Sequence, residues 1–530
     1  MIMTGVWRRL VAVLIMYGLL GLPAVTQAQT VLFVPMDDRP VSFEYTVETG
    51  KAAQLDLLVP PAAMLASRDK PGDPDKLWQW VEENASRADA LVLASDSLLY
   101  GGLVDSRTHD LAEPVLNARL AKFRSLKTAN PTARLYVFGT VMRTPTASAG
   151  GVEPAYYEQY GGRIFQLTAL QDKEETVGLT RAERRQLKAD LAVIPPTDLA
   201  DWLSRRQKNF AVNAELIALT RNGDLDYLVL GRDDTAPYSQ THREGRALAA
   251  LADGLNNGKF ATFPGADQLG MIMLARAYNN LTNQLPIVKL DYAPGAGDRT
   301  VPRYEDQPVG KTIVDHIIAA GGIVLPNPHQ PDLVLAVNTP FNGLTREADS
   351  ASNGVKTSEG LQKFVADLQT GIGAGKKVAV ADIAFGNGAD NSLMAELANR
   401  HLLDKLTAYS GWNTASNTIG YVVSQGMMAG AMNDPDRKRL LAVRYLDDWA
   451  YQANIRNELN RDINYPRGGS LVRLDGLRPL LTAEAQKREG LFARQKLWLA
   501  PDDIKVSFPW NRMFEIQVQV KTDGGNKDDR

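Results

Sequence analysis

The sequence predicts an α/β protein in three parts. Residues 30–285 read as an N-terminal (β/α) barrel or barrel-like parallel sheet. Residues 286–426 read as a second, smaller open α/β domain, and residues 427–530 as a mostly helical C-terminal region. Three observations carry this. Short apolar runs alternate with segments whose apolar residues recur every three or four positions, and the connections are short, as in parallel sheets with crossover helices. Several runs stop at a polar cluster, so charged side chains sit at strand ends, where α/β folds place their chemistry. The first part holds about six such runs rather than the eight of a closed barrel, which keeps a doubly wound open sheet as the alternative.

The elements follow in order. Arg8 and Arg9 precede an apolar run at 10–22, and Thr26 and Ala28 suit the −3 and −1 positions of a cleavage site. Residues 1–28 therefore read as a secretory signal peptide, too short for a comfortable membrane span. Residues 30–35 are the first strand, ending in Met36-Asp37-Asp38-Arg39-Pro40; a second apolar run, 55–59, closes at Pro60-Pro61. Asp73-Pro74 opens a helix, with the acid as N-cap and proline in the first turn. Residues 90–94 form a strand ending in Ser95-Asp96-Ser97, and 134–140 a strand followed by Met142-Arg143-Thr144-Pro145. Residues 147–163, with several glycines beside Tyr156, Tyr157 and Tyr160, read as a long loop over the strand ends. Helices at 180–192 and 197–221 lead to the strand 227–230. There Gly231, Arg232, Asp233, Asp234 and Pro237 end the run before a helix near Ser239. The strand 260–263 likewise ends in Pro264-Gly265-Ala266-Asp267-Gln268.

A second series has strands near 287–290, 323–325, 333–337 and 378–383 with helices between. The segment 384–391 is rich in Gly and Asn but lacks the spaced glycines or lysine of a nucleotide-binding loop. Residues 409–417 set Trp412 among Asn413 and Asn417, which suits either a sugar-stacking surface or a buried Trp whose amides cap the next helix. Residues 427–459 and 480–489 read as helices, 514–520 as a strand and 521–530 as a polar tail. No internal repeat is visible.

Composition narrows the function. The 530 residues carry a net charge of −2, which gives no field for nucleic acid. There is no cysteine and only five histidines, none in a metal-binding spacing, so thiolate and zinc chemistry have no basis. No G-x-S-x-G elbow points to a serine hydrolase. No metal set and no cofactor is expected. The signal peptide places the protein in the periplasm or outside the cell, with no other membrane segment.

Six stretches taken together resemble a known group: V-P-M-D-D-R-P at 34–40, D-S-L-L-Y-G-G-L-V at 96–104, G-R-D-D at 231–234, G-A-D-Q at 265–268, G-W-N-T-A-S-N-T-I-G at 411–420 and F-P-W-N-R-M-F-E at 508–515. The chain resembles an uncharacterised bacterial domain-of-unknown-function family of about this length. The resemblance spans nearly the whole mature chain and implies no catalytic assignment.

Residue chemistry therefore supplies the functional expectation. Glycosidic cleavage uses two carboxyl groups in different protonation states, and adjacent acids push their pKa values apart. Asp233 and Asp234 are the candidate catalytic pair of a glycoside hydrolase-like enzyme, suited to N-acetylated amino-sugar glycans. On a regular strand they would face opposite sides, so they converge only where the strand ends between them. Asp37, Asp38, Arg39, Asp96, Arg143, Arg232, Asp267, Trp412, Asn413 and Asn417 are the candidate substrate-binding residues. The expected partner is a glycan or other small molecule. The alternatives are a Mg²⁺- or Ca²⁺-dependent hydrolase using the same aspartates and a non-catalytic two-lobed periplasmic binding protein.

Overall fold

The computed structural model describes residues 29–147, 151–256 and 258–521. The segment 1–28, read above as a signal peptide, and the tail after 521 lie outside these residues, as do residues 148–150 of the 147–163 segment. No helix among the described residues is long and apolar enough to cross a membrane.

The strands in chain order are β1 (Thr30–Val34), β2 (Asp56–Leu58), β3 (Ala90–Ala94), β4 (Arg134–Val141), β5 (Tyr227–Arg232), β6 (Phe260–Pro264), β7 (Ile287–Tyr292), β8 (Ile323–Val324), β9 (Leu333–Asn338), β10 (Arg346–Glu347), β11 (Val378–Asp382), β12 (Phe385–Gly386), β13 (Ala408–Ser410), β14 (Ile504–Ser507) and β15 (Gln517–Val520). β1 to β6 form one parallel sheet in the order β2-β1-β3-β4-β5-β6. The sheet is open: among the described residues β2 pairs only with β1, and β6 only with β5. Of the two forms the sequence allows for this parallel sheet, the doubly wound one is realised. No (β/α) barrel closes, because the edge strands β2 and β6 do not pair with each other.

Side chains alternate across the sheet as a two-sided burial requires. Leu32, Val34, Leu91, Leu93, Leu135 and Val137 pack under helices Pro74–Asn84, Glu113–Ala129 and Pro196–Asn222. Val31, Phe33, Val92, Tyr136, Phe138 and Val229 face helices Glu44–Ala52 and Leu269–Leu281. The second sheet, also parallel, runs β13-β11-β9-β7-β8. Numbered within its own half, its first strand lies between the second and third, as in the first sheet. The two halves thus repeat one strand order without repeating a sequence.

Helix Ala415–Met428 lies between the halves. It packs on helix Leu269–Leu281 and on β9, β11 and β13, and all of its residues are buried. The contact is close enough that a Cβ on Gly420 would stand 2.4 Å from Cγ of Gln268. One apolar core therefore runs through both halves. The C-terminal region adds helix Asp434–Arg444, a π-helical stretch Tyr445–Ile455, helix Arg478–Lys496 and the antiparallel hairpin β14–β15. Within it Arg444, fully buried, pairs with Asp447 at 3.0 Å and Asp448 at 3.1 Å. Asp448 also accepts the Gly411 N–H at 2.7 Å, tying this region to the loop before Ala415.

One segment departs from expectation. The 147–163 stretch is not a loop throughout, because helix Tyr157–Thr176 begins inside it. Gly161 serves packing: a Cβ there would stand 2.3 Å from the ring of Tyr157. That ring is buried and its hydroxyl donates to the Pro145 carbonyl at 2.8 Å, so it cannot swing aside cheaply. Gly161→Ala should therefore destabilise the protein by about 1–3 kcal/mol through overpacking, although alanine favours a free helix. Urea unfolding decides this, and a more stable variant would show that the ring leaves room.

Candidate active site

A cavity of about 810 Å³ opens at the carboxyl ends of the first sheet's strands. Arg39 reaches it from the end of β1, Arg143 from β4, Asp233 and Asp234 from β5, and Asp267 from β6. The second half contributes Asn413 and Asn417, and the C-terminal region contributes Trp510 and Phe514.

The convergence of Asp233 and Asp234 has a local cause. β5 ends at Arg232, and Asp234 takes a positive φ of 34°, which breaks the alternation of the strand. Gly231 permits the close β5–β6 approach, since a Cβ there would lie 2.2 Å from the Gly265 carbonyl oxygen.

The acids are held by arginines in a chain. Arg107 Nη2 donates to Asp233 Oδ2 at 2.6 Å, and Arg143 Nη1 donates to Asp234 Oδ2 at 2.9 Å. Buried Glu153 joins the two arginines, accepting from Arg143 Nε at 2.7 Å and lying 4.0 Å from Arg107. Three carboxyl groups thus share two guanidinium groups. Asp234 is pushed up, to about 6: burial dominates and the neighbouring Asp233 adds to it, against the pull of Arg143 and Arg107.

A second group lies beside it. Arg39 bridges Asp37 at 2.8 Å and Asp267 at 2.6 Å, and Asn413 Nδ2 donates to Asp267 at 3.2 Å. Asp38 accepts the indole N–H of Trp510 at 2.6 Å, which fixes that ring in the wall between the guanidinium groups of Arg39 (5.3 Å) and Arg512 (5.1 Å). Burial, partly offset by that hydrogen bond, raises the Asp38 carboxyl.

Seven of the sequence-derived residues line this cavity: Asp233, Asp234, Arg39, Arg143, Asp267, Asn413 and Asn417. Asp37 and Asp38 stand behind it, positioning Arg39 and Trp510. Three are placed elsewhere. Asp96 accepts from the backbone and hydroxyl of Thr140 at 3.0 and 2.8 Å, tying β3 to β4, and burial pushes it up to about 6. Arg232 turns away into a two-pronged bond with Asp306, both contacts at 2.7 Å, joining β5 to the second half. Trp412 is 3% exposed and packs on Phe514 with ring centres 5.7 Å apart, while Thr414 caps the following helix. Of the two readings of that segment, Trp412 follows the buried one. Its neighbours Asn413 and Asn417 nevertheless reach the cavity.

Sequence reasoning passed over Arg107, Glu153, Arg456, Trp510 and Phe514. The F-P-W-N-R-M-F-E stretch held a signal for the last two, a second Trp-Asn pair. Arg107 and Glu153 carried none, because their partners are brought to them only by the fold.

The family model described as a protein of unknown function, DUF4127, matches residues 31–519. The chain belongs to the DUF4127 family. No curated protein and no solved structure matches it significantly. The cavity of this DUF4127 chain is therefore interpreted from its own chemistry. Among the described residues no group of three or more His, Cys, Asp or Glu side chains is placed to hold a metal ion. The cavity aspartates are instead engaged by arginines, which compete with a cation for the same oxygen lone pairs.

Proposed function

We propose that the protein is a periplasmic or secreted glycan hydrolase in which Asp234 is the general acid. The observation that carries this is the pairing, at one cavity wall, of a carboxyl group held near pH 6 with an adjacent carboxylate in an ion pair with Arg107. A raised acid beside a second acid paired with an arginine matches the two carboxyl groups that glycosidic cleavage uses.

Adjacent positions in the chain suit cleavage assisted by an N-acetylated sugar. The acetamido oxygen attacks the anomeric carbon as the glycosidic C–O bond breaks, and Asp234 gives its proton to the leaving oxygen. Asp233 accepts a hydrogen bond from the acetamido N–H and balances the charge that develops. Water then adds to the anomeric carbon as its bond to the acetamido oxygen breaks, and gives a proton to Asp234, so the acetamido group and the acid are both regenerated. The asparagine amides at the cavity wall suit the sugar hydroxyls.

The cavity walls come from both halves, which would also serve a protein that only binds its ligand. The pH dependence separates the two. The Asp234 proton is present below its raised value and lost as pH climbs through about 6. Release of reducing sugar from a glycan panel should therefore be high at pH 5, with kcat/KM declining through that value. A rate that stays level up to pH 8 would remove Asp234 as the acid.

A further inference from the structure

Among the described residues six arginines line the cavity, and five of them are neutralised within the protein. Arg39 meets Asp37 and Asp267, Arg107 meets Asp233, and Arg143 meets Asp234 and Glu153. Arg303 meets Glu347 at 2.9 Å, and Arg512 is paired with Glu515. Arg456 is the exception. It makes no ion pair among the described residues, and its guanidinium lies 5.4 Å from the centre of the Phe514 ring. It stands where the π-helical stretch Tyr445–Ile455 gives way to helix Arg456–Leu459, with Asn457 and Asn460 beside it on the same wall.

A half-buried guanidinium against an aromatic face has given up part of its water without gaining a counter-charge. Among the described residues the one cavity-lining carboxylate without an ion pair, Asp349, is exposed and keeps its hydration. The cavity therefore offers one partly desolvated positive charge, with the Asn457 and Asn460 amides lining the same cavity.

We infer that the substrate carries a carboxylate and that Arg456 binds it. The planar fork of an arginine matches the two oxygens of a carboxylate, and one unpaired cation matches one negative charge. A doubly charged phosphate would meet only half of its charge here and would face Asp233, Asp234 and Asp267 as well. Resting on the glycan reading above, this narrows the substrate class to glycans with acidic sugars, such as hexuronic acids or sugars with an acidic ether substituent.

The test is calorimetric binding with the full chain and its Arg456→Gln and Arg456→Lys variants, each checked for an unchanged melting temperature. The probes are oligosaccharides of glucuronic, galacturonic and N-acetylmuramic acid, their neutral methyl esters, sulfated oligosaccharides and N-acetylglucosamine oligomers. Acidic members should bind at least about tenfold more tightly than their esters. Arg456→Gln should erase that preference and Arg456→Lys should keep part of it. Equal binding of acid and ester, or a preference that survives Arg456→Gln, overturns the inference. Binding of the sulfated members alone overturns the carboxylate assignment in favour of a sulfate ester. If neutral oligomers are cleaved and acidic ones ignored, this inference falls and the glycan reading stands. If no member binds, both fall.

Discussion

Asp234→Asn should lower kcat/KM on a cleaved glycan by about 10²–10⁴-fold while leaving ligand affinity nearly intact. The amide keeps the size of the side chain and the cavity keeps its shape, but no proton is available for the leaving oxygen. Arg143 retains Glu153 as a partner, so the wall should not collapse. Asp233→Asn makes a second, distinct expectation. The charge of Asp233 helps to raise Asp234, so its removal moves the Asp234 value down and shifts the activity decline to lower pH. Rates of both variants across pH 4–8 give the readout. An Asp234→Asn protein that hydrolyses as fast as the parent ends the acid assignment. Loss of affinity in place of turnover would mark a binding protein.

Arg444→Met should cost about 3–5 kcal/mol of stability at pH 8, because it strands two buried carboxylates without their cation. Burial already raises Asp447 and lifts Asp448 to about 7, with Arg444 holding both back. Folded-state values above the unfolded one mean that the folded protein binds these protons more tightly. Stability is then fully present below the unfolded value and declines as pH rises through the folded one. Without Arg444 the folded values climb further, so the deficit should be largest at pH 8 and smaller at pH 5. Urea unfolding at the two pH values measures it, and an equal deficit at both would show that the arginine acts by packing alone. The variant should also loosen the site, since Asp448 anchors Gly411 beside Asn413.

What could be read from the chain beforehand was mostly local. Runs such as 90–94 and 227–230 are buried on both faces, and their apolar content marks them as parallel strands without knowledge of their neighbours. Gly231 and Pro237 signalled the break that brings Asp233 and Asp234 to one wall. Features that depend on distant partners were not legible. Whether six strands close or stay open is settled by pairing at β2 and β6, which no segment encodes by itself. Arg107 reaches across 126 positions to Asp233, and Arg39 across 228 to Asp267. Trp412 and Trp510 look alike in sequence, each followed by asparagine. Both are buried, but the first packs on Phe514 away from the cavity, while the second, held by Asp38, borders it. The duplicated strand order leaves no repeat in the sequence, because many apolar residues can fill the same strand position.

The helix Ala415–Met428 has no water-facing side, and this limits how the molecule can move. A clamshell protein closes on its cargo by swinging two lobes about a flexible hinge. Here such a swing would strip this helix from Leu269–Leu281 or from β9, β11 and β13, baring the centre of the core to solvent. The penalty at roughly 25 cal/mol per Å² of apolar surface is prohibitive for a routine cycle. A ligand of the proposed site would therefore come and go past the rim segments, with the sheets moving as a single block.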